Sequence, residues 1–190
     1  KGFEAEITYA ASDRLTLYAN YSYTLTEYGE DYLIANIDDP SVPSQIWGTF
    51  TQVDEVSNVA VGADADLFTY NLKGNALKGI PEQKYTINAT YEADTRVGPL
   101  WYNISYSYTG DFSASGIERA YDNVPSRDIT NISVSWFSED GDISIRAYID
   151  NVMNNKDYYS ITTTEITRDF QKYAWPLAER SYGIDMRYNF

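Results

Sequence analysis

The chain has 190 residues, no Cys, no His, a formal net charge of −14 and a mean hydropathy of −0.46. The missing residue types remove disulfides, thiol chemistry, and the usual proton shuttle and metal ligand. The acidity makes nucleic acid a poor partner, because its phosphates would be repelled.

There is no run of about 20 apolar residues, so no transmembrane helix is predicted. A membrane barrel stays open, since its strands alternate and average out as polar. The length suits one domain with a sizeable core. Nineteen Tyr and four Trp fit the aromatic girdles of a membrane barrel. They also fit a Tyr-rich soluble sandwich or a carbohydrate-binding surface.

Apolar residues recur with period 2, the strand period. Phe3, Ala5, Ile7 and Tyr9 alternate with Glu4, Glu6 and Thr8, predicting a strand over 3–10. After a turn at Ala11-Ser12-Asp13, Leu15, Leu17, Ala19, Tyr21, Tyr23 and Leu25 mark a second strand over 14–26. Residues 27–81 then hold nine acidic side chains, with Pro40 and Pro43 between them. A connection this long is read as a functional or mobile loop, with a short hairpin arm near Leu67–Leu72. Alternation resumes over 83–94 (Tyr85, Ile87, Ala89, Tyr91), 100–112 (Leu100, Tyr102, Ile104, Tyr106, Tyr108) and 127–138 (Ile132, Val134, Trp136). Glu139-Asp140-Gly141 predicts a hairpin turn into 142–153 (Ile143, Ile145, Ala147, Ile149). A final strand over 178–190 places Tyr182, Ile184, Met186, Tyr188 and Phe190 on one face.

Seven strands result, joined by connections that run short, long, short, long, short, long. The long ones are 27–81, 113–126 and 154–177. Loops sorted by length to opposite ends predict an all-β, antiparallel up-and-down transmembrane β-barrel. Alternation alone does not say which face is inward; the aromatic strand ends and the closing Phe190 favour the apolar face outward and the polar faces turned to a wet lumen. The inward charges, Arg14, Lys84, Glu92, Arg146, Asp150, Asp185 and Arg187, are expected to pair across strands or to meet a plug.

The amphipathic last strand ending in Phe190 resembles the C-terminal signal of bacterial outer-membrane barrels, which the barrel-assembly machinery reads. Four further stretches resemble the C-terminal part of TonB-dependent outer-membrane transporters. They are Lys1-Gly2-Phe3-Glu4 with Leu15–Tyr23; Leu77-Lys78-Gly79-Ile80-Pro81-Glu82; Asp150-Asn151-Val152-Met153-Asn154-Asn155-Lys156-Asp157-Tyr158-Tyr159; and Arg180–Phe190. In the third, Val152 stands where the family usually has Leu, and Asn155 where Asp is frequent.

The resemblance implies that these strands are the last part of a larger, 22-stranded, plugged barrel. The plug and the energy-coupling segment would lie N-terminal to it, outside this chain. An odd number of strands and a start at Lys1 without Met agree with a fragment, or with a barrel completed by another chain. An open sheet in lipid would leave costly unpaired edges.

No catalytic residues are assigned: no His is available as a base beside a nucleophile, and no spacing marks a Ser-Lys or carboxylate site. No metal site is assigned either, and Asp38, Asp39, Asp54 and Glu55 lack EF-hand spacing. No cofactor is expected. Recognition falls to the loops, where Tyr32, Trp47, Phe50, Arg119, Tyr121, Tyr159, Arg168 and Trp175 are the ligand-contact candidates. Rings can stack on sugars or ring-bearing chelators, and Arg can pair with an anion. The alternative for each is packing within its own loop.

The resemblance implies TonB-dependent active transport across the bacterial outer membrane. A ferric siderophore is the first-ranked ligand, with cobalamin or a glycan behind it. The expected partners are lipid, lipopolysaccharide, the TonB energy-coupling complex, the plug and the remaining strands. The alternative is a small stand-alone outer-membrane barrel acting as a diffusion pore or structural adhesin. Its eighth strand would have to come from Ala63–Leu72.

Overall fold

In the computed structural model the described residues are 1–35, 52–54, 59–61, 69–164 and 171–190. They form the strands β1 (Gly2–Ala10), β2 (Leu15–Thr24), β3 (Leu33–Ala35), β4 (Gln52–Asp54), β5 (Val59–Val61), β6 (Thr69–Asn71), β7 (Gln83–Thr95), β8 (Gly98–Thr109), β9 (Phe112–Ser113), β10 (Asn123–Val124), β11 (Arg127–Phe137), β12 (Ile143–Asp150), β13 (Tyr158–Thr163), β14 (Lys172–Pro176) and β15 (Ser181–Tyr188). Seven of these make one antiparallel sheet in the order β1-β2-β7-β8-β11-β12-β15. Each sheet strand pairs with the next sheet strand in the chain, which is an up-and-down path. The other strands form two-stranded arms within the long connections.

The register keeps the alternation of one strand in phase with that of its neighbours. Ile7 faces Ala19, Ala19 faces Ile87, and Ile87 faces Tyr106. Farther along, Ile104 faces Ile132, Ile132 faces Ile149, and Ile149 faces Tyr182. A slip of one residue would turn a whole strand over, so the register is strongly specified. One face of the sheet is therefore apolar along most of each strand, with Asp128 and Thr130 at the start of β11 among its polar exceptions, and it is open. Ile7, Ile87, Ile104, Ile132, Ile149, Ile184 and Met186 are all exposed. The polar face is the concave one: a hollow of about 730 Å³ opens on it, lined by residues such as Glu6, Asn20, Lys84, Thr86 and Ser107. This is the reverse of a soluble barrel, which turns its apolar side inward. It is the arrangement of a membrane barrel, with hydrocarbon outside and water within.

Aromatic rings bracket the apolar band. Phe3 and Tyr9, Tyr85 and Tyr91, Tyr102 and Tyr108, and Tyr182 and Tyr188 each stand six residues apart on the outer face of one strand. Six residues span about 20 Å along a strand. Aliphatic or small residues such as Ala5, Ile7, Ile87, Ala89, Ile184 and Met186 occupy the outward positions between them. Neighbouring rings touch across strands: Phe3 lies 5.5 Å from Tyr21, and Tyr85 lies 5.0 Å from Tyr108.

The short turns have sequence-specific causes. The Ser12 hydroxyl accepts from the N–H groups of Arg14 and Leu15 at 3.2 and 3.1 Å. Gly98 has φ +115°, and a Cβ there would meet the Phe137 carbonyl oxygen at 2.0 Å, so glycine is required. Gly141 closes the β11–β12 turn at φ +78°, its N–H donating to the Ser138 carbonyl at 3.0 Å. Of the expected inward charges, Arg146 and Asp185 pair across β12 and β15 at 3.7 Å, while Arg14, in the turn before β2, pairs at 2.9 Å with Asp94 of β7, a partner the sequence reading did not name.

Residues of the proposed eighth strand take another course. Thr69–Asn71 pairs with Leu33–Ala35 in a separate two-stranded arm, while 63–68 lie outside the described residues. The described part of that segment therefore adds nothing to the main sheet, whose margins are β1 and β15.

Candidate ligand-binding loop face

The buried apolar residues lie in the loops. Among the described residues they are Leu72, Ile117, Val124 and Ile161, contributed by all three long connections. Around them the backbone is clasped. Asn75 Nδ2 donates to the Gly116 carbonyl at 2.8 Å, Ala76 N–H donates to Glu118 Oε1 at 2.6 Å, and Gly79 N–H donates to the Ser113 carbonyl at 2.8 Å. Across the clasp, the Thr163 hydroxyl donates to Asp122 Oδ1 at 2.9 Å. The Asn75 and Thr163 bonds are part-buried and satisfy polar groups that packing has drawn away from water, whereas the Ala76–Glu118 bond lies at the exposed surface. Beside the clasp lies a cleft of about 680 Å³, lined by residues including Leu77, Ile80, Tyr108, Phe112, Glu118 and Arg119.

Below this core, the Asp150–Asp157 stretch is a hydrogen-bonded hub. Asn151 is buried and has φ +49°, in the left-handed region that Asn tolerates better than most residues. Its Nδ2 donates to the carbonyls of Asn155 and Ala178 at 2.9 and 2.8 Å, and its Oδ1 accepts from Asn155 N–H at 2.8 Å. Asn155 Nδ2 reaches the Asp128 carbonyl at 3.0 Å, and Asn154 Oδ1 accepts from Arg180 N–H at 3.1 Å. The hub ties the loop-side end of β12 to β11 and to the entry of β15. Sequence reasoning noticed this stretch only as a motif. The available signal was five Asn or Asp side chains within eight residues, able to cap local backbone, at the end of a strand.

The candidate contacts fall in different settings. Arg119 is not presented to solvent. Its guanidinium lies 3.6 Å from Asp122, with the two side chains 9% and 3% exposed, and 5.6 Å from the Tyr121 ring. Arg119, Tyr121 and Asp122 thus join one cluster with Thr163 of β13. Tyr32 is exposed and stacks on Tyr28, with ring centroids 5.8 Å apart. Tyr159 and Trp175 are exposed on the β13–β14 hairpin. Trp47, Phe50 and Arg168 lie outside the described residues. Tyr182, Ile184, Met186 and Tyr188 of β15 are all exposed, as is Phe190 two residues past its end, which lies edge-on to Tyr188 at 5.0 Å.

Loop electrostatics are dominated by carboxylates. Asp31, in the first long loop, is held below the usual carboxylate range by hydrogen bonds from Asn71 and Lys73, together with the Lys73 charge. The Lys73 ammonium lies 3.2 Å from it. Among the described residues, no group of three or more carboxylates converges as a metal site would require.

No protein-family model and no curated protein matches the chain by sequence. Its structure does match solved proteins. All of it superposes on the ferric yersiniabactin uptake receptor FyuA from Yersinia pestis, with a TM-score of 0.69 at 15% identity, covering 23% of that receptor. The fold is that of a TonB-dependent receptor barrel. The siderophore receptor PiuA from Acinetobacter baumannii matches 97% of the chain, with a TM-score of 0.62 at 14% identity and 21% of PiuA covered. A mutant of the ferric enterobactin receptor PfeA from Pseudomonas aeruginosa matches the whole chain at 12% identity, again with a TM-score of 0.62 and 22% coverage. The chain thus spans less than a quarter of the length of these three receptors.

Proposed function

We propose that the chain is part of a bacterial outer-membrane receptor that takes up a scarce ligand by TonB-dependent transport, with a ferric siderophore as the first-ranked cargo. The observation that carries this is the full-length match to siderophore-receptor barrels, on a sheet with an apolar outer face and a polar concave face. In this reading the long connections 27–81, 113–126 and 154–177 are extracellular and hold the ligand contacts. The strands pairing with the free edges of β1 and β15, and the plug, belong to the rest of the protein. Lipid and lipopolysaccharide surround the apolar band. Energy comes from the TonB complex, and the protein's own chemistry is binding and release without catalysis.

Uptake of radio-iron by iron-starved cells tests this. Deleting the gene should abolish uptake from at least one ferric siderophore, and a complementing copy unable to couple to TonB should not restore it. Full uptake of every siderophore offered to the deletion strain would remove the iron reading. Steady ion conductance from this chain alone in planar bilayers would favour the stand-alone pore instead.

A further inference from the structure

The β13–β14 hairpin has two unlike faces. Ile161 and Thr163 lie on one. Ile161 is buried in the loop core, and Thr163 bonds Asp122. The other face carries Tyr173 and Trp175, which are 48% and 47% exposed. They sit two residues apart on β14, which separates them by about 7 Å along the strand. Directly opposite, in register, stand hydroxyl residues: Thr162 faces Tyr173 and Ser160 faces Trp175. Tyr159, at the irregularity between Tyr158 and Ser160, is also exposed. The hairpin is anchored through its inner face, so its outer face is held in place by packing that does not involve these rings.

A flat ring beside a hydroxyl matches a pyranose, which offers an apolar C–H face for stacking and a rim of hydroxyls for hydrogen bonds. Charge narrows the class further. Residues 151–180 hold four acidic and four basic side chains, so this connection is neutral overall. Residues 25–82 hold ten carboxylates against two Lys, and 110–126 hold three against one Arg. Several loop cations are already engaged by carboxylates: Lys73 by Asp31, Arg119 by Asp122, and Lys156 by Glu179 at 3.2, 3.6 and 3.8 Å. An anionic ligand or a phosphorylated glycan would approach against this field, whereas a neutral one would not.

We propose that the outer face of the β13–β14 hairpin, Tyr173 and Trp175 with Ser160 and Thr162, binds a neutral oligosaccharide free in solution. The inference goes beyond the uptake reading and does not depend on what the barrel transports.

The test uses the intact protein in a detergent without a sugar headgroup, because a maltoside would occupy the same face. Tryptophan emission is followed while maltohexaose, cellohexaose and chitohexaose are added in turn, up to about 10 mM, the weak end of useful affinity. The expected result is saturable quenching by at least one of the three. Trp175→Ala and Tyr173→Ala should each weaken it about tenfold or more, whereas Tyr173→Phe keeps the stack and should stay within about threefold. Three outcomes would overturn the proposal. One is no saturable response to any of the sugars. The second is a response that survives Trp175→Ala. The third is a wild-type Trp175 contribution, obtained by difference from Trp175→Phe, that is shielded from acrylamide, which would put the face against another part of the protein. A response to lipopolysaccharide vesicles with none to free sugars overturns the solution source. Iron uptake of either sign leaves this binding result standing.

Discussion

Replacing Asn151 is the sharpest test of how the loop side is held to the sheet. Asn151→Ala removes three side-chain hydrogen bonds, at 2.8 to 2.9 Å, in a buried setting. At roughly 1 kcal/mol net for each, the loss is about 3 kcal/mol. Alanine at φ +49° adds about 1 kcal/mol more, because its Cβ crowds the carbonyl in the left-handed region. Asn151→Gly loses the same bonds without that strain. The two variants should therefore differ, with Gly the milder by about 1 kcal/mol. Hydrogen exchange at Val152 N–H reads this directly. That group donates to the Thr130 carbonyl at 2.8 Å, between the hub and β11. A local loss of about 4 kcal/mol for Ala speeds exchange by roughly 900-fold, and one of about 3 kcal/mol for Gly by roughly 150-fold. Asn151→Ala exchange within about threefold of wild type would refute the reasoning, as would equal effects from Ala and Gly.

Three further outcomes are expected. Gly183 lies under the Tyr148 ring, where a Cβ would come within 2.6 Å of the phenol oxygen, and Arg146 stacks on that ring at 4.9 Å. Gly183→Ala should therefore cost about 1 kcal/mol by displacing the ring from Arg146, and it should cost nothing more in a Tyr148→Ala background; additive losses in a double-mutant cycle would remove the coupling. Asp31 sits below the ordinary carboxylate range when folded, so its bonds to Asn71 and Lys73 help the arm above the unfolded carboxylate range and are lost as pH falls through its own lower value; proteolysis near Lys73 should rise on acidification in wild type and be pH-independent in Asp31→Asn. Phe190→Ala should lower the heat-modifiable, folded fraction in outer membranes while leaving the ligand affinity of the folded molecules unchanged, and normal folded yield would sink its assembly role.

The up-and-down sheet was legible because period 2 survives in every sheet strand, from Phe3 and Ile7 to Ile184 and Tyr188. Its inside-out sense was not legible in the alternation itself, which is the same for either face turned inward; only the aromatic strand ends and the closing Phe190 favoured an apolar outside. The loop core was not. Leu72, Ile117, Val124 and Ile161 come from three separate connections and share no local pattern, so only the tertiary fold brings them together. For the same reason Arg119 reads in sequence as a cation offered to a ligand, although Asp122, three residues on, already engages it. Trp175 could be named from sequence as an aromatic in a loop. The neighbouring Tyr173 and the hydroxyls opposite gain meaning only through the β13–β14 register, which local periodicity does not supply.

The open apolar face bears on how such a chain drifts in evolution. A side chain in a close-packed interior is constrained by shape, and one methylene too many or too few is felt. In the proposed membrane setting, exposed Ile87, Ile104 or Ile184 meets no fixed partner of that kind, because hydrocarbon tails flow around whatever outline is presented. The constraint on these positions is lipophilicity rather than fit. Leu, Val, Phe or Ala can replace one another there with little penalty, and the lumenal side needs only to stay polar. Roughly half the positions of each strand are thus free to change letter within a class. An identity of 12 to 15% beside TM-scores of 0.62 to 0.69 is what a fold solvated on one side by lipid and on the other by water would leave behind.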